Sequence, residues 1–314
     1  MEITVSVRGG AMFSSIGAAV KAVPLGASAV IFIKNGIYRE KIYCEKDDIS
    51  FVGESREGTL LVNGDGARHT HADGRPYGTF RSYTAFFSGG SVRVQNMTIA
   101  NTAGEGSLHG QAVAAAVDAR YASFNNVSLL GCQDTLFTGP LPERQRLPDG
   151  FLGPKQFAPR VNSFQWYQNC YIRGNIDFIF GGATALFEGC TLHCAPLPSG
   201  QSGYIAAPST PPGQLGYLFY RCRIEAQAAA AHSFYLARPW RGSGAAAFVE
   251  CSLCEAVRPE GFDNWSNAEN EKTARFAEYG NTGAGAAGPR AFGKRFSAAQ
   301  AAQMLSQARR ACCR

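Results

Sequence analysis

The sequence has no long hydrophobic run. No stretch of its 314 residues approaches the roughly 18 to 20 apolar residues that a membrane-spanning helix needs. The opening segment, MEITVSVRGG, lacks the basic and the apolar regions of a secretory signal peptide. No Lys/Arg run is interleaved with aromatic residues, as nucleic-acid-binding segments often are. We therefore expect neither a membrane nor a nucleic acid as a partner.

The ten cysteines lack the arrangement of a disulfide framework. They are spread through a large chain with no visible signal peptide, which favours free thiols in a reducing compartment. We accordingly expect a cytoplasmic protein, or a secreted or periplasmic one if a signal peptide has been removed. The close pairs Cys190/Cys194 and Cys251/Cys254 are not followed by second pairs at zinc-site spacing, so we expect no metal.

The charge balance is mildly basic. A net charge of +6 and a pI of 8.8 are compatible with a polyanionic partner, but much of the excess lies in the C-terminal segment. A basic tail is usually a solvated surface, so charge alone identifies no partner. The hydrophobic content of 45% is enough for a sizeable core.

The chain contains an internal repeat. Six segments share an apolar run, a polar or glycine residue, and then an alternation of small, polar and aliphatic residues. Equivalent positions in successive segments are 30, 43, 20, 32 and 29 residues apart. The alternation has the period of two that is typical of half-buried strands. Aligning the segments places six residues in one column: Met97, Val127, Cys170, Cys190, Cys222 and Cys251.

Repeat units of this length built from short strands predict an all-β fold, a parallel β-helix in which inward side chains stack between coils. Four cysteines then become small hydrophobic core residues. A β-sandwich is the alternative architecture, but the regular hairpin turns at 8 to 12 residue spacing that it favours are absent.

The ends and one insertion complete a single domain, residues 1–314. The segment AMFSSIGAAVKAVP predicts an N-terminal capping helix with Phe13, Ile16, Val20 and Val23 on one face. Ser297 predicts the N-cap of a helical tail over 297–314. The Pro- and Gly-rich insertion at about 138–161 predicts a long loop that stands off the coil.

Two aspartates share one register of the repeat. Asp134 lies seven residues after Val127, and Asp177 lies seven after Cys170, so GCQDTLF aligns with GNIDFIF without a gap. On adjacent coils their backbones would be about 4.8 Å apart. Carboxylates this close acquire different pKa values, so that one stays protonated while the other ionises. This division suits an acid paired with a nucleophile or base.

Polar and aromatic residues elsewhere fit the same site. Gln133 neighbours Asp134, Gln111 lies on the preceding coil, and Arg238 lies in LARPW. Glutamine amides can stabilise an oxyanion, and an arginine can hold a carboxylate ionised. Apolar faces on which sugar rings stack are predicted at Phe137, Phe180 and Trp240.

Five motifs, GIYRE, GQAVA, GCQDTLF, GNIDFIFG and LARPW, resemble in order and context those of the pectin methylesterases. The resemblance implies a right-handed, single-stranded parallel β-helix that removes methyl esters from the C6 carboxyl of galacturonate in pectin or methylated oligogalacturonides. It also implies that Asp177 is the nucleophile and that Asp134 is the general acid and base. Gln111 and Gln133 would form the oxyanion hole, Arg238 would orient Asp177, and no cofactor would be needed.

The sequence departs from the commoner family pattern at two places. Cys132 stands where many members have an aromatic residue, and the insertion between the aspartates is longer than in the plant enzymes. The segment GFLGPKQFAPRV resembles a bacterial branch. We expect this loop to narrow the cleft and favour short methylated oligogalacturonides, and we expect a monomer, because a capped solenoid can function alone.

Two other functions are compatible with paired carboxylates on a β-helix. One is a polygalacturonase-like glycoside hydrolase, whose carboxylate spacing depends on its stereochemistry. The other is a catalytically inactive, carbohydrate-binding β-helix. The two glutamines and the arginine around the aspartates favour an esterase over the first, and the complete catalytic set favours it over the second.

Overall fold

The chain winds through three parallel sheets in a repeating order. The computed structural model describes residues 1–227 and 231–313. Each complete coil contributes a strand to the first sheet, then to the second, then to the third, and each strand pairs with its counterparts on neighbouring coils. The sheets contain 11, 8 and 7 strands among the described residues. The parallel β-helix predicted from the repeat is confirmed.

The strands are short and the helices are few. The first sheet comprises Glu2–Val5, Ser28–Ile33, Asp48–Gly53, Ser91–Gln95, Tyr121–Asn125, Phe164–Gln168, Thr184–Glu188, Tyr217–Tyr220, Ala245–Val249, Arg275–Tyr279 and Lys294–Arg295. The second comprises Gly36–Arg39, Thr59–Asn63, Thr98–Asn101, Ser128–Leu130, Tyr171–Gly174, Thr191–Cys194, Arg223–Ala226 and Ser252–Leu253. The third comprises Ile42–Cys44, Ala85–Phe87, Ala115–Val117, Leu136–Thr138, Ile179–Gly181, Gly203–Pro208 and Phe234–Ala237. The α-helices are Ile16–Ala22, Gly106–His109, Glu269–Thr273 and Ala298–Cys312, and the 3-10 helices are Thr79–Arg81 and Ala284–Ala286. No helix in the described part of the chain is long and apolar enough to cross a membrane.

The repeated segments form because one residue turns each coil from the first sheet to the second. That residue has a positive φ, between 51° and 63°, in every one of the six segments. Asparagine and glycine adopt this left-handed region at little cost. The turn residues are Asn96, Asn126, Asn169, Gly189, Arg221 and Glu250. They account for the polar or glycine position that precedes the aligned column in the sequence.

The aligned column forms a ladder inside the solenoid. All six of its members are at most 1% exposed. Each of the four thiols donates to a backbone carbonyl of the preceding coil at 3.3 to 3.5 Å. Beside the ladder, aromatic rings stack at centroid spacings of 4.5 to 5.0 Å, close to the strand spacing of about 4.8 Å. The stack consists of Phe124, Tyr167, Phe187, Phe219 and Phe248. All ten cysteines are free in the structure.

The N-terminal helix is shorter than predicted. It spans Ile16–Ala22, with the Ser15 side chain accepting from the Ala18 amide, and it buries Ile16 and Val20. Phe13 lies before the helix, where its backbone pairs with the strand Glu2–Val5, so its placement on the helical face was wrong. The N-cap serine and the extended pairing of Phe13 together fix where the helix begins.

The C-terminal helix covers the outer face of the first sheet. It spans Ala298–Cys312, and Ser297 and Gln300 form a capping box at its start. Its residues Ala301 and Ala308 pack with Leu186 and Leu218 of the sheet. The predicted helical tail is confirmed to Cys312, and Arg314 lies outside the described residues.

The insertion at 138–161 folds onto the third sheet instead of standing off it. Leu141 and Phe151 are 3% and 4% exposed and belong to an apolar cluster with Phe180. The Arg160 guanidinium donates to the carbonyl of Pro142 at 3.2 Å, which holds the two ends of the loop together. Burial of the apolar side chains in this Pro- and Gly-rich segment explains why the free-standing loop was the wrong prediction.

Candidate active site

The two aspartates lie side by side on adjacent coils. Gln133 pairs with Ile176 in a parallel bridge, and the Asp134 amide donates to the Ile176 carbonyl at 3.0 Å. Directly after them, Phe137 pairs with Phe180. This register aligns Asp134 with Asp177, as the sequence predicts. Both residues are 8% exposed.

Each aspartate occupies a left-handed turn between the second and third sheets. The φ angles are 62° at Asp134 and 48° at Asp177, a region that aspartate visits more readily than most residues. The turns approach one another closely, because a Cβ at Gly174 would lie 2.7 Å from the Cys132 carbonyl oxygen. Glycine is therefore required at Gly174, and the matched GxxD pattern follows from this tight packing.

Arg238 holds Asp177 through two hydrogen bonds. Its Nε donates to Oδ1 at 2.8 Å, and its Nη2 donates to Oδ2 at 2.6 Å. This bidentate geometry fixes the orientation of the carboxylate and favours its ionised form. The predicted pairing of Arg238 with Asp177 is present in the structure.

Two aromatic residues that the sequence did not single out position Arg238. Its guanidinium carbon lies 3.6 Å from the ring centroid of Tyr204 and 3.8 Å from that of Trp265. Stacking on two aromatic faces stabilises a desolvated cation and restricts its movement. Tyr204 lies on a third-sheet strand and Trp265 on a loop far along the chain, so no local motif links them to Arg238.

The pairing of Arg238 with Asp177 separates the pKa values of the two buried carboxyl groups. Burial raises the pKa of Asp134 well above its usual value, and the nearby Asp177 charge adds to the rise. Burial also raises the pKa of Asp177, but the hydrogen bonds and charge of Arg238 oppose this. Asp134 is thus the group that keeps a proton, and Asp177 is the group that ionises first. This order matches an acid beside a nucleophile.

Replacing the protonated carboxyl should stabilise the protein. The pKa of Asp134 is higher in the folded state than the usual 3.8 of an exposed aspartate. Stability is therefore lost as pH rises from about 4 through the folded-state pKa. Asp134→Asn carries no proton to release, so we expect its free energy of unfolding at pH 7 to exceed that of the wild type by at least about 1 kcal/mol.

Denaturant unfolding of both proteins from pH 4 to pH 8 measures this difference. The stability advantage of Asp134→Asn should shrink toward the acidic end of the range, where the wild-type carboxyl is protonated and therefore as neutral as the amide. Asp48→Asn, which alters an exposed carboxylate paired with Arg93, is the matched control and should show no such gain. Equal stability of Asp134→Asn and wild type at pH 7 would contradict the assignment of the proton to Asp134.

A cleft of about 540 Å³ opens above the aspartates and contains both glutamines. Gln111 and Gln133 line it together with Asp134, Asp177 and Arg238. The Ala112 amide donates to the Gln133 carbonyl at 3.1 Å, which connects the backbones of the two glutamine-bearing segments. The structure thus brings the five predicted catalytic side chains to one cleft.

The predicted sugar-binding aromatics divide into two groups. Phe180 and Trp240 line the cleft. Phe137 is 1% exposed and lies beneath Phe80, with ring centroids 4.9 Å apart, so it supports the cleft instead of facing it. The placement of Phe137 at the substrate surface was therefore wrong, because Phe80 covers it.

Two cleft-lining aromatics were not predicted. Phe80 stacks near Trp240 at a centroid distance of 6.4 Å, and Phe151 meets Trp240 edge-on at 6.3 Å. Both line the cleft. Phe151 belongs to the insertion, and its apolar character within a polar loop was the available signal. Phe80 lies on the 3-10 helix Thr79–Arg81, outside every repeat segment.

No group of three or more His, Cys, Asp or Glu side chains is arranged to hold a metal ion in the part of the chain that the structure describes. At the two aspartates the cleft brings together two carboxyl groups of different pKa, the Arg238 guanidinium and the two glutamine amides. An ionised carboxylate, an acid and oxyanion donors are what nucleophilic acyl transfer requires.

Comparison with known proteins gives consistent matches. The pectinesterase family model matches residues 2–147 and 160–307. Pectinesterase 31 of Arabidopsis thaliana is 34% identical over 287 residues, which cover 88% of this chain and 81% of that protein. The chain spans about half the length of several other curated relatives.

Solved structures agree with these matches. Pectin methylesterase from carrot has a TM-score of 0.81 at 28% identity, covering 96% of this chain and 89% of that one. A pectin methylesterase mutant in complex with a hexasaccharide has a TM-score of 0.78 at 28% identity, covering 96% and 94%. These matches favour ester hydrolysis over the two alternatives, a glycoside hydrolase and a catalytically inactive, carbohydrate-binding β-helix. The chain belongs to the pectinesterase family of carboxylic ester hydrolases.

Proposed function

We propose that this pectinesterase uses Asp177 to attack the C6 methyl ester of galacturonate units in pectin or methylated oligogalacturonides, releasing methanol. The observation that carries the proposal is the bidentate pairing of Asp177 with Arg238 beside the protonated Asp134 in one cleft. The hexasaccharide bound by a related pectin methylesterase supports an oligosaccharide substrate.

The first half-reaction forms an acyl-enzyme. A carboxylate oxygen of Asp177 attacks the ester carbonyl, and the negative charge moves to the carbonyl oxygen. The amide groups of Gln111 and Gln133 donate hydrogen bonds to that oxyanion. As the tetrahedral intermediate collapses, the bond to the methoxy oxygen breaks, and Asp134 gives it a proton. Methanol leaves, and an anhydride joins the Asp177 carboxyl to the galacturonyl carbon.

The second half-reaction restores the enzyme. Asp134, now ionised, removes a proton from a water molecule, whose oxygen attacks the galacturonyl carbon of the anhydride. The bond to Asp177 breaks, and Asp177 leaves as a carboxylate that Arg238 holds. Asp134 ends protonated, and the substrate unit ends as a free acid that ionises. One ester and one water yield one acid and one methanol, with no electron transfer, so the steps call for no cofactor.

Product analysis on the wild-type protein tests the reaction class. Methanol and new reducing ends are measured in parallel during incubation with highly methylated pectin. We expect methanol release without any increase in reducing ends. Reducing ends without methanol would overturn the proposal, because they show cleavage of glycosidic bonds.

We also propose that the insertion marks a bacterial branch of the family and narrows the cleft for short substrates. Its residues Leu147, Gly150 and Phe151 line the cleft, and the family model leaves residues 148–159 unmatched. A loop that lies over the subsites restricts long chains more than short ones. This substrate preference rests on the position of the loop beside the catalytic aspartates.

Shortening the loop tests the preference. Because Arg160 and Pro142 are in contact, residues 144–158 can be replaced by a short Gly/Ser linker without moving the loop ends. We expect the ratio of kcat/KM for polymer over methylated hexamer to rise at least about threefold, since a restriction on polymer entry is removed. Phe151→Ala in the full-length loop controls for lost packing. An unchanged ratio argues against the role of the loop.

We propose further that the protein works as a monomer in a reducing compartment, the cytoplasm. The support for the compartment is that all ten cysteines are free, four of them inside the core ladder. Support for the monomer comes from the helix Ala298–Cys312, which covers the face of the first sheet. Cell fractionation and sedimentation equilibrium test the two statements.

A further inference from the structure

Two histidines outside the cleft are hydrogen-bonded to each other. His69 lies in the loop that follows the second-sheet strand Thr59–Asn63, and His109 is the last residue of the short helix Gly106–His109. Nε2 of His69 and Nδ1 of His109 are 2.9 Å apart, and the two ring planes are nearly perpendicular, at 89°. Neither ring lines the cleft, so neither is placed to touch a substrate.

The direction of this hydrogen bond follows from a third group, the backbone amide of Gly66. The amide nitrogen lies 3.1 Å from Nδ1 of His69 and can only donate. Nδ1 of His69 therefore accepts, and the ring carries its single proton on Nε2. Nε2 of His69 donates to Nδ1 of His109. The contact thus requires a donor at position 69 and an acceptor at position 109.

Further hydrogen bonds join the same loop to the end of the helix. The Ala67 amide donates to the Gln111 carbonyl at 2.8 Å, and the Arg68 amide donates to the His109 carbonyl at 3.1 Å. The Arg68 guanidinium also donates to the Ser107 carbonyl. The loop and the helix end therefore pack as one unit, with the histidine pair at one end and Gln111 at the other.

The helix Gly106–His109 also contacts the second glutamine of the site. A Cβ at Gly106 would lie 2.9 Å from the Cβ of Gln133, so the start of the helix packs directly on that side chain. A helix of a single turn is not stable alone in water, and its position depends on the contacts that hold it. A shift of His109, at the other end of this turn, therefore reaches both glutamines.

Hydrogen-bond donors to an oxyanion must be placed accurately, because a misplacement of about 1 Å can cost up to about a hundredfold in rate. We propose that the His69–His109 hydrogen bond is a positioning contact that fixes the amide groups of Gln111 and Gln133 where the oxyanion forms. This inference rests on the function proposed above, in which those amides donate to the ester oxygen. The oxyanion exists only after the ester has been attacked, so loss of the contact lowers kcat and leaves KM unchanged.

Two substitutions of His109 that differ in one property test the contact. His109→Asn keeps an acceptor oxygen close to the position of Nδ1, whereas His109→Leu has nearly the same size and branching but no acceptor. Methanol release from highly methylated pectin gives kcat and KM. We expect His109→Leu to lower kcat about tenfold with KM within about twofold of wild type, and His109→Asn to keep kcat within about threefold. Equal kcat values for the two variants would overturn the proposal.

A double-mutant cycle tests whether the histidines act through the glutamine. In the Gln111→Ala background there is one oxyanion donor fewer to misplace, so the cost of His109→Leu in kcat should fall to about threefold or less. A cost of about tenfold in both backgrounds would overturn the positioning contact. Gln111→Ala alone tests the proposed function, because an unchanged kcat would contradict the oxyanion role of Gln111. A lowered kcat in Gln111→Ala, with His109→Leu at the wild-type rate, would overturn only the positioning contact.

Two further variants separate positioning from folding. His193→Leu breaks a hydrogen bond between a histidine and Glu225, 3.2 Å long and formed by side chains that do not line the cleft, and should keep the wild-type kcat. His69→Phe keeps an aromatic ring but removes the donor, and we expect the same tenfold fall in kcat as in His109→Leu. The Tm of each variant shows whether it is folded. A folded His69→Phe with the wild-type kcat would contradict the proposal independently of any variant at His109.

Discussion

Asp177→Asn should reduce kcat for methanol release by at least about a thousandfold. The amide has almost the same shape as the carboxylate, but it lacks the negative charge and the nucleophilic oxygen that attack the ester. The Asn oxygen can still accept one of the two hydrogen bonds from Arg238, so the cleft should keep its geometry. The measurement is the initial rate of methanol release from highly methylated pectin, together with Tm.

Several comparisons make the result specific. Asp177→Ala guards against slow deamidation of the asparagine back to aspartate. Asp48→Asn changes an exposed carboxylate on the first sheet and should retain wild-type rates. If Asp177→Asn and Asp177→Ala remain folded and keep rates within tenfold of wild type, Asp177 is not the nucleophile.

The fold could be predicted because its determinants repeat along the chain. The alternating strands, the left-handed turn position and the buried column recur in six successive coils, so one local rule specifies most of the architecture. The same rule placed Asp134 beside Asp177, because each follows its column residue by the same number of positions. Register in a solenoid is set by local spacing, and spacing is visible in sequence.

The parts of the site that sequence could not predict depend on contacts across the surface. Tyr204 and Trp265 clamp Arg238 from a strand and from a remote loop, and neither belongs to a shared pattern with it. Phe137 shares the register of Phe180, yet Phe137 lies beneath Phe80 and does not line the cleft, whereas Phe180 does. Coverage of this kind is decided by how loops pack on the solenoid, and the repeat carries no information about it.

The packing of the insertion was also not predictable from its composition. Its Pro and Gly content favours a loop that stands off the coil, but Leu141 and Phe151 are buried against the third sheet. Composition averages over a segment, whereas packing is decided by individual side chains. Burial of these two side chains, together with the hydrogen bonds of Arg160 to loop carbonyls, holds the loop against the sheet.

Arg238→Met should impair both stability and activity. It leaves Asp177 in a buried site without its counter-ion, and breaking one side of such a pair costs about 3 kcal/mol. Without the guanidinium, burial raises the pKa of Asp177 further, so ionisation requires a higher pH. We expect kcat/KM at pH 7 to fall at least about a hundredfold and the acidic limb of the pH–rate profile to move up by at least about one unit. Denaturant unfolding and pH-dependent rates measure the two effects.

The double variant Asp177→Asn/Arg238→Met separates the two roles of the pair. With both charges removed, no uncompensated ion remains buried, so most of the lost stability should return. Activity should not return, because the nucleophile is absent. Arg238→Lys keeps a positive charge but loses the bidentate geometry and the stacking between Tyr204 and Trp265, so an intermediate rate is expected. If Arg238→Met alone kept the wild-type pH profile, the guanidinium would not be what keeps Asp177 ionised. A double variant no more stable than Arg238→Met would show that Arg238 stabilises the fold through its aromatic contacts and not through its charge.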